Sequence, residues 1–182
     1  LRPFIEVLED PAGQLQFEAI ESPENATRFH RIAGDSDLNF GYATAVYRLR
    51  LKFTPATNAA TNWLLEVGYP SLEQVELFTR PGERLIRQQA GDLQPYATRP
   101  YPHRNLVFPV ELAPGAEQTV YLRIRSEGSL TLPLKLWSPP ALHDHDQQGY
   151  NIMALYFGML LALGLYNLLL FFSLRDRTRQ QR

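Results

Sequence analysis

Seven consecutive residues, Arg99-Pro100-Tyr101-Pro102-His103-Arg104-Asn105, concentrate the recognition chemistry of this chain. Arginine donates in a planar fork, asparagine donates and accepts, tyrosine offers a flat aromatic face, and histidine changes charge near neutral pH. Two prolines restrict the backbone that carries them. Such a loop is suited to gripping a polar ligand, and Trp63, Glu66, Tyr69 and Tyr96 are the residues that could extend its surface. The same residues suit a structural tie, in which His103 and Arg104 hydrogen-bond to backbone carbonyls and pin the loop to a sheet edge. The residue types leave both readings open.

A second cluster is His143-Asp144-His145-Asp146. On an extended backbone alternate residues share a face, so His143 and His145 could hold one metal ion; in a solvated linker they hold none. The acidic pairs Glu9/Asp10 and Asp35/Asp37 lie in turn-like or polar contexts and read as solvated turns rather than a hydrolase pair. No G-x-S-x-G, P-loop, dinucleotide glycine fingerprint or H-E-x-x-H occurs. The chain therefore reads as non-enzymatic and without a cofactor. It has no cysteine, which excludes disulfides and thiolate metal sites and suits a bacterial periplasm.

The elements that must position these residues are strands. From Ala45 to Phe53, Ala45, Tyr47, Leu49, Leu51 and Phe53 point one way and Val46, Arg48, Arg50 and Lys52 the other, which predicts one buried and one wet face. The same period runs through Trp63, Leu65 and Val67, through Val75, Leu77 and Thr79, and through Val120, Leu122 and Ile124. Residues 105–112 make a further strand, and a last one runs from Leu130 to Trp137; Pro109 and Pro133 within them mark an edge or a bulge. Turn sequences at Asp10-Pro11-Ala12-Gly13, Arg80-Pro81-Gly82-Glu83, Ala113-Pro114-Gly115-Ala116 and Glu127-Gly128-Ser129 separate the strands. Seven or more short strands of this kind predict an all-β antiparallel sandwich. The polar stretch from Ser22 to Phe40 reads as an irregular loop.

After the strands comes Ile152–Leu174, twenty-three residues without a charge and with only Asn167 and Ser173 clearly polar. As a helix it spans roughly 34 Å, enough for a hydrocarbon core of about 30 Å. Four arginines in residues 175–182, against none in residues 143–146, put the tail in the cytoplasm and the strands outside. Ala154, Gly158 and Ala162 form a small-residue stripe, and Asn167 is placed to hydrogen-bond to another helix, so the span reads as one of a bundle. Setting aside the tail's four arginines and one aspartate leaves 14 basic and 18 acidic residues, a net charge of −4 that argues against a nucleic-acid partner. The organisation expected is a β-domain over 1–140, a juxtamembrane linker over 141–150, a membrane helix over 151–174 and a basic tail over 175–182. Both ends read as cut, a signal peptide at the first and further membrane helices at the second.

The runs Leu8-Glu9-Asp10-Pro11, Tyr47-Arg48-Leu49-Arg50, Arg99-Pro100, Pro102-His103-Arg104-Asn105, Ser126-Glu127-Gly128-Ser129 and Trp137-Ser138-Pro139, with Tyr156-Phe157-Gly158 and Tyr166-Asn167 beyond, cover nearly the whole chain. In them the chain resembles the type 2 extracellular domain of bacterial seven-transmembrane receptors with diverse intracellular signalling modules, together with their first membrane helix. The resemblance implies a jelly-roll-like sandwich similar to carbohydrate-binding modules, facing the periplasm from the inner membrane. It also implies a cytoplasmic output such as a diguanylate cyclase or a histidine kinase. One departure is Val46, where the family often has tryptophan; if that ring stacks on a ligand, the ligand here differs or binds elsewhere.

Two functions follow as expectations. In the first, a small polar ligand, a saccharide or a carboxylate, binds through Arg99, Tyr101, His103, Arg104 and Asn105 with Trp63, Glu66 and Tyr69, and the membrane helix relays the bound state. In the second, the sandwich binds another receptor or a second copy of itself and no small ligand exists. A pocket walled by Trp63, Tyr101 and Arg104 favours the first, and a flat apolar patch beside an unpaired strand favours the second.

Overall fold

The structure, a computed structural model, describes residues 4–31, 38–42, 45–54, 61–112, 115 and 117–180, with side chains for all of these except 61 and 173–180. The acidic pair Asp35/Asp37 lies outside the described residues. Strand β1 (Ile5–Asp10) is followed by short helices α1 (Phe17–Glu21) and α2 (Pro23–Ala26) and by β2 (His30–Arg31) and β3 (Leu38–Tyr42). Then come β4 (Val46–Phe53), β5 (Thr61–Val67), β6 (Gln74–Thr79) and β7 (Ile86–Ala90). The β-rich part closes with β8 (Leu106–Leu112), β9 (Gln118–Arg125), β10 (Ser129–Leu132) and β11 (Leu134–Trp137), and α3 (Pro139–Gln180) follows. Every strand pairing is antiparallel.

Three sheets result. The first has the order β2-β1-β4-β9-β6-β7, the second pairs β10 with β3, and the third has the order β11-β5-β8. The alternation seen in the sequence builds the layer between them. Leu49, Leu51, Val75, Leu77, Leu122 and Ile124 of the first sheet join Leu65, Val67, Leu106, Phe108 and Val110 of the third in one core, each at 2% exposure or less. Burying each such side chain contributes about 1.5–3 kcal/mol.

The opposite face of the first sheet departs from the expectation of a wet surface. Arg48 is only 4% exposed, because the segment after β1 folds back over this face. Phe17 and Ile20, three residues apart on α1, bury there, and Leu8, Ile20 and Phe29 form a second small core with Leu15 and Tyr121 packed against it. The stretch expected to be an irregular loop from Ser22 therefore holds α2, β2 and the start of β3. Ser22 caps α2, its hydroxyl accepting from the Asn25 amide at 3.4 Å, and Pro23 opens the helix. The turn that starts the fold-back needs glycine: Gly13 has φ +65° and a Cβ there would lie 3.0 Å from Val46 Cγ2.

Pro109 sits at an edge as expected, whereas Pro133, expected to mark an edge or a bulge, breaks its strand. Pro109 lies on β8, an edge strand of the third sheet. Pro133 splits the expected strand Leu130–Trp137 in two, so that β10 pairs with β3 and β11 with β5. Its carbonyl accepts from Gly68 N at 2.9 Å.

The chain divides into two units between Pro139 and Pro140. In the second, α3 is continuous from Pro139 to Gln180, so the expected linker over 141–150 is helical and the helix begins ahead of the apolar run. Within Pro139–Phe172 an 18-residue window reaches a mean hydropathy of 2.0, and the helix is long and apolar enough to cross a membrane. The side chains from Ile152 to Phe172 are all exposed within this chain, unlike those of a helix buried in a soluble core. Asn167 Nδ2 donates to the Leu163 carbonyl at 2.8 Å, one turn back in the same helix.

Candidate functional site

Residues 99–105 connect a 3-10 turn (Tyr96–Thr98) to β8, and several of the polar groups singled out there hold the loop itself. Arg99 Nη1 donates to the carbonyls of His103 at 2.8 Å and Arg104 at 3.2 Å, closing the loop with one guanidinium. The Arg99 guanidinium also lies over the Tyr96 ring at 5.0 Å. His103 is buried, and its Nδ1 accepts from the Asn105 amide at 3.0 Å, which sets that nitrogen as the unprotonated one.

Asn105 then ties the loop to the third sheet. Its Nδ2 donates to Glu66 Oε1 at 2.5 Å, while Trp137 Nε1 donates to Glu66 Oε2 at 2.6 Å. Glu66 is 4% exposed. A buried carboxylate needs acceptor-side satisfaction on both oxygens, and these two donors from β11 and the loop supply it. The tie was expected of His103 and Arg104 bonding to backbone carbonyls; here Arg99 donates to the loop carbonyls, while His103 accepts from a backbone amide. Tyr69 is half-buried against the main core, and the Arg104 side chain is exposed.

Two of the expected residues meet elsewhere. Trp63 and Tyr101, both half-buried, line a cleft of about 440 Å³ with Ile86 of β7 and Pro109 and Val110 of β8. Pro81, at the turn after β6, closes the wall, and the polar fringe is Asn62, Thr79, Gln88 and Glu111. Where β7 ends the first sheet and β8 ends the third, Gln88 Nε2 bridges the two edges by donating to the Pro109 carbonyl at 2.7 Å. Its amide oxygen remains as an acceptor. Among the described residues no lysine or arginine lines this cleft, and Arg104 is not part of it. Chemically it offers aromatic faces, apolar walls and neutral amide and hydroxyl groups, with one carboxylate at Glu111.

The residues missed from sequence are those of the polar fringe. Asn62 and Glu111 face each other in register across β5 and β8, and Gln88 comes from a strand whose alternation is weak. Their proximity follows from which strands end each sheet, a fact that no local pattern carries. Val46, where a tryptophan was expected, is buried and does not line the cleft.

For His143 and His145 the premise of an extended segment fails. Both lie on α3, where residues two apart point roughly 200° from each other, so they do not converge on one ion. His143 Nε2 lies 3.0 Å from Gln147 Nε2, one turn on. Among the described residues no group of three His, Asp or Glu side chains is placed to hold a metal.

Electrostatically the other face of the first sheet is the more unusual. Burial, and then Glu21, push the Tyr121 phenol above its ordinary range there, as burial and then Glu9 do for Tyr47 on the core face. Burial and the Arg123 guanidinium oppose the charge on Arg48, whose pairing with Asp10 at 3.3 Å works the other way.

In a comparison with known families, the family described as 7TMR-DISM extracellular 2 matches residues 2–138. No match to an individual curated protein was found.

Proposed function

The chain belongs to the 7TMR-DISM extracellular 2 family, and from that premise we propose that its β-rich unit senses a neutral, saccharide-like ligand in the cleft lined by Trp63 and Tyr101. Membership makes this unit the extracellular sensor domain of a membrane receptor, and the chain continues into a helix able to cross a membrane. The family is one of sensing and not of catalysis. The ligand, its site and the relay are our reading.

The cleft's composition carries it. Aromatic and proline walls with a fringe of amide and hydroxyl groups suit a ring that is apolar on its faces and polyhydroxylated at its rim. A volume of about 440 Å³ fits a ligand of one or two such rings. The absence of any lining cation, with Glu111 at the rim, disfavours a carboxylate in this cleft. The strand order supports a jelly-roll-like plan akin to carbohydrate-binding modules, since β4, β5, β6, β8 and β9 pass to and fro between the first and third sheets. That likeness is a matter of plan and says nothing of which sugar.

In this reading Arg99, His103, Asn105 and Glu66 act by positioning: they fix the loop so that Tyr101 faces Trp63 across a preformed gap. Occupation bridges β7 of one sheet and β8 of the other, and so favours one relative pose of the two sheets over another. The α3 helix, periplasmic end first, carries that bias through the inner membrane, as the first helix of a bundle, to a cytoplasmic output such as a diguanylate cyclase or histidine kinase. The alternative, self-association through an open strand, is weakened at two of the sheet edges, β8 and β2. Pro109 interrupts β8, and β2 has two residues.

A screen tests the reading directly. The chain in detergent micelles, melted in the presence of glucose, N-acetylglucosamine, maltose and cellobiose, should be stabilised by at least one of them in a concentration-dependent way. Stabilisation by none of these would contradict a saccharide cleft.

A further inference from the structure

The outer face of the first sheet presents three guanidinium groups where two buried carboxylates are available to answer them. Register places Arg48 of β4 opposite Arg123 of β9, and Arg123 opposite Glu76 of β6. Arg87 of β7 comes from the adjacent row, opposite Phe78. Together they line a cavity of about 450 Å³ beneath the segment that leads into α1.

The charges there can be followed pair by pair. Glu76, 3% exposed, accepts from Arg87 and from Gln74 on Oε1, and lies 3.6 Å from Arg123 Nη1 on Oε2. Asp10, 4% exposed, takes Arg48 Nη2 at 3.3 Å, and Asp10 Oδ2 also accepts from the Leu15 amide at 3.1 Å. Arg48 Nη2 donates further to the Leu15 carbonyl. That leaves the two buried pairs balanced, with the more exposed Arg87 and Glu18 adding one charge of each sign at the cavity. It also leaves Arg48 Nε, buried and without a hydrogen-bond partner. A buried cationic donor that points at no acceptor is costly to a fold, and burial together with Arg123 already opposes the charge on Arg48.

We infer that this cavity is a second ligand site, for a small carboxylate with a short apolar body. One carboxylate oxygen gives Arg48 Nε its acceptor, and the other is left to the neighbouring Arg123 and Arg87 guanidinium groups. The body is set by the walls: Phe17 and Phe78, stacked at 5.0 Å between centroids, both line the cavity. Arg87, whose side chain is 57% exposed, stands on the solvent side and is placed to meet an arriving anion. No residue lining this cavity lines the cleft of Trp63 and Tyr101, so the inference does not rest on the saccharide reading.

Titration calorimetry on the whole chain in detergent micelles, at fixed ionic strength, decides it, with benzoate and succinate as probes and benzamide and sulfate as controls. At least one carboxylate should bind with a stoichiometry of one, benzamide should not bind, and sulfate should bind more weakly. Arg123→Gln should weaken the carboxylate at least tenfold, and Trp63→Ala should leave its affinity unchanged. Should Arg123→Gln fail to melt cooperatively, Arg87→Gln, at a more exposed position, should show the same direction with a smaller loss. Absence of binding by both carboxylates, equal binding of sulfate, or affinity indifferent to both arginine substitutions would overturn the site.

Discussion

At Glu66 two neutral donors, Asn105 Nδ2 and Trp137 Nε1, converge on one buried carboxylate. Glu66→Ala leaves both without an acceptor and should cost about 2–3 kcal/mol, lowering Tm by roughly 5–10 °C. Arg99→Ala removes the donor to two loop carbonyls and should act in the same direction. Arg104 offers the loop its backbone carbonyl, which alanine keeps, and its side chain is exposed; Arg104→Ala should change stability by no more than about 0.5 kcal/mol. Thermal melts of the three variants check the ranking, and a loss at Arg104 as large as at Glu66 would contradict it. The residue types in 99–105 were enough to single out this loop, because arginine, histidine and asparagine between prolines are rarely idle. They were not enough to say which groups would turn inward. That depended on Glu66, thirty-nine residues away from Asn105 in the chain, whose burial comes from sheet pairing.

Elements were legible where one face alone met the core. The period-two runs of β4, β5, β6 and β9 are visible in the sequence because leucine, valine and isoleucine alternate with polar residues. The reading failed where a second layer covers the outer face. Arg48 and Glu76 look like solvent residues by type and are buried by α1 and the turn before it. The cue available was Phe17 and Ile20 at helical spacing, with Phe29 beyond, in a stretch otherwise polar. Pro133 was visible as a mark of an edge or a bulge, but the break and the change of sheet that it permits were not. The connection between β7 and the 3-10 turn carries a stricter constraint. Gly91 has φ +154°, and a Cβ there would lie 2.2 Å from the Glu73 carbonyl oxygen, while Asp92 N donates to Leu72 O at 2.7 Å. Gly91→Ala must move backbone and not a side chain, and should lower stability by about 2 kcal/mol or more. A denaturant midpoint equal to that of the parent would show that this turn yields without cost.

For the molecule as a whole, the central claims are an outside sensor joined to a membrane helix and a ligand held between Trp63 and Tyr101. The arginines after Leu174 predict the topology: alkaline phosphatase fused after Arg182 should be inactive in cells and active when fused near His145, and the reverse pattern would place the sensor on the wrong side. The claim about the ligand is tested most directly by tryptophan fluorescence. The chain has two tryptophans, and only Trp63 lines the cleft. A sugar that stabilises the chain should change the emission of the parent and not that of Trp63→Phe. Losing an aromatic stacking face is worth about 0.5–1.5 kcal/mol beyond area. Tyr101→Ala should therefore weaken binding about tenfold, while Arg104→Ala leaves it unchanged. A sugar response that survives in Trp63→Phe and is indifferent to Tyr101→Ala would place the ligand elsewhere and contradict the site.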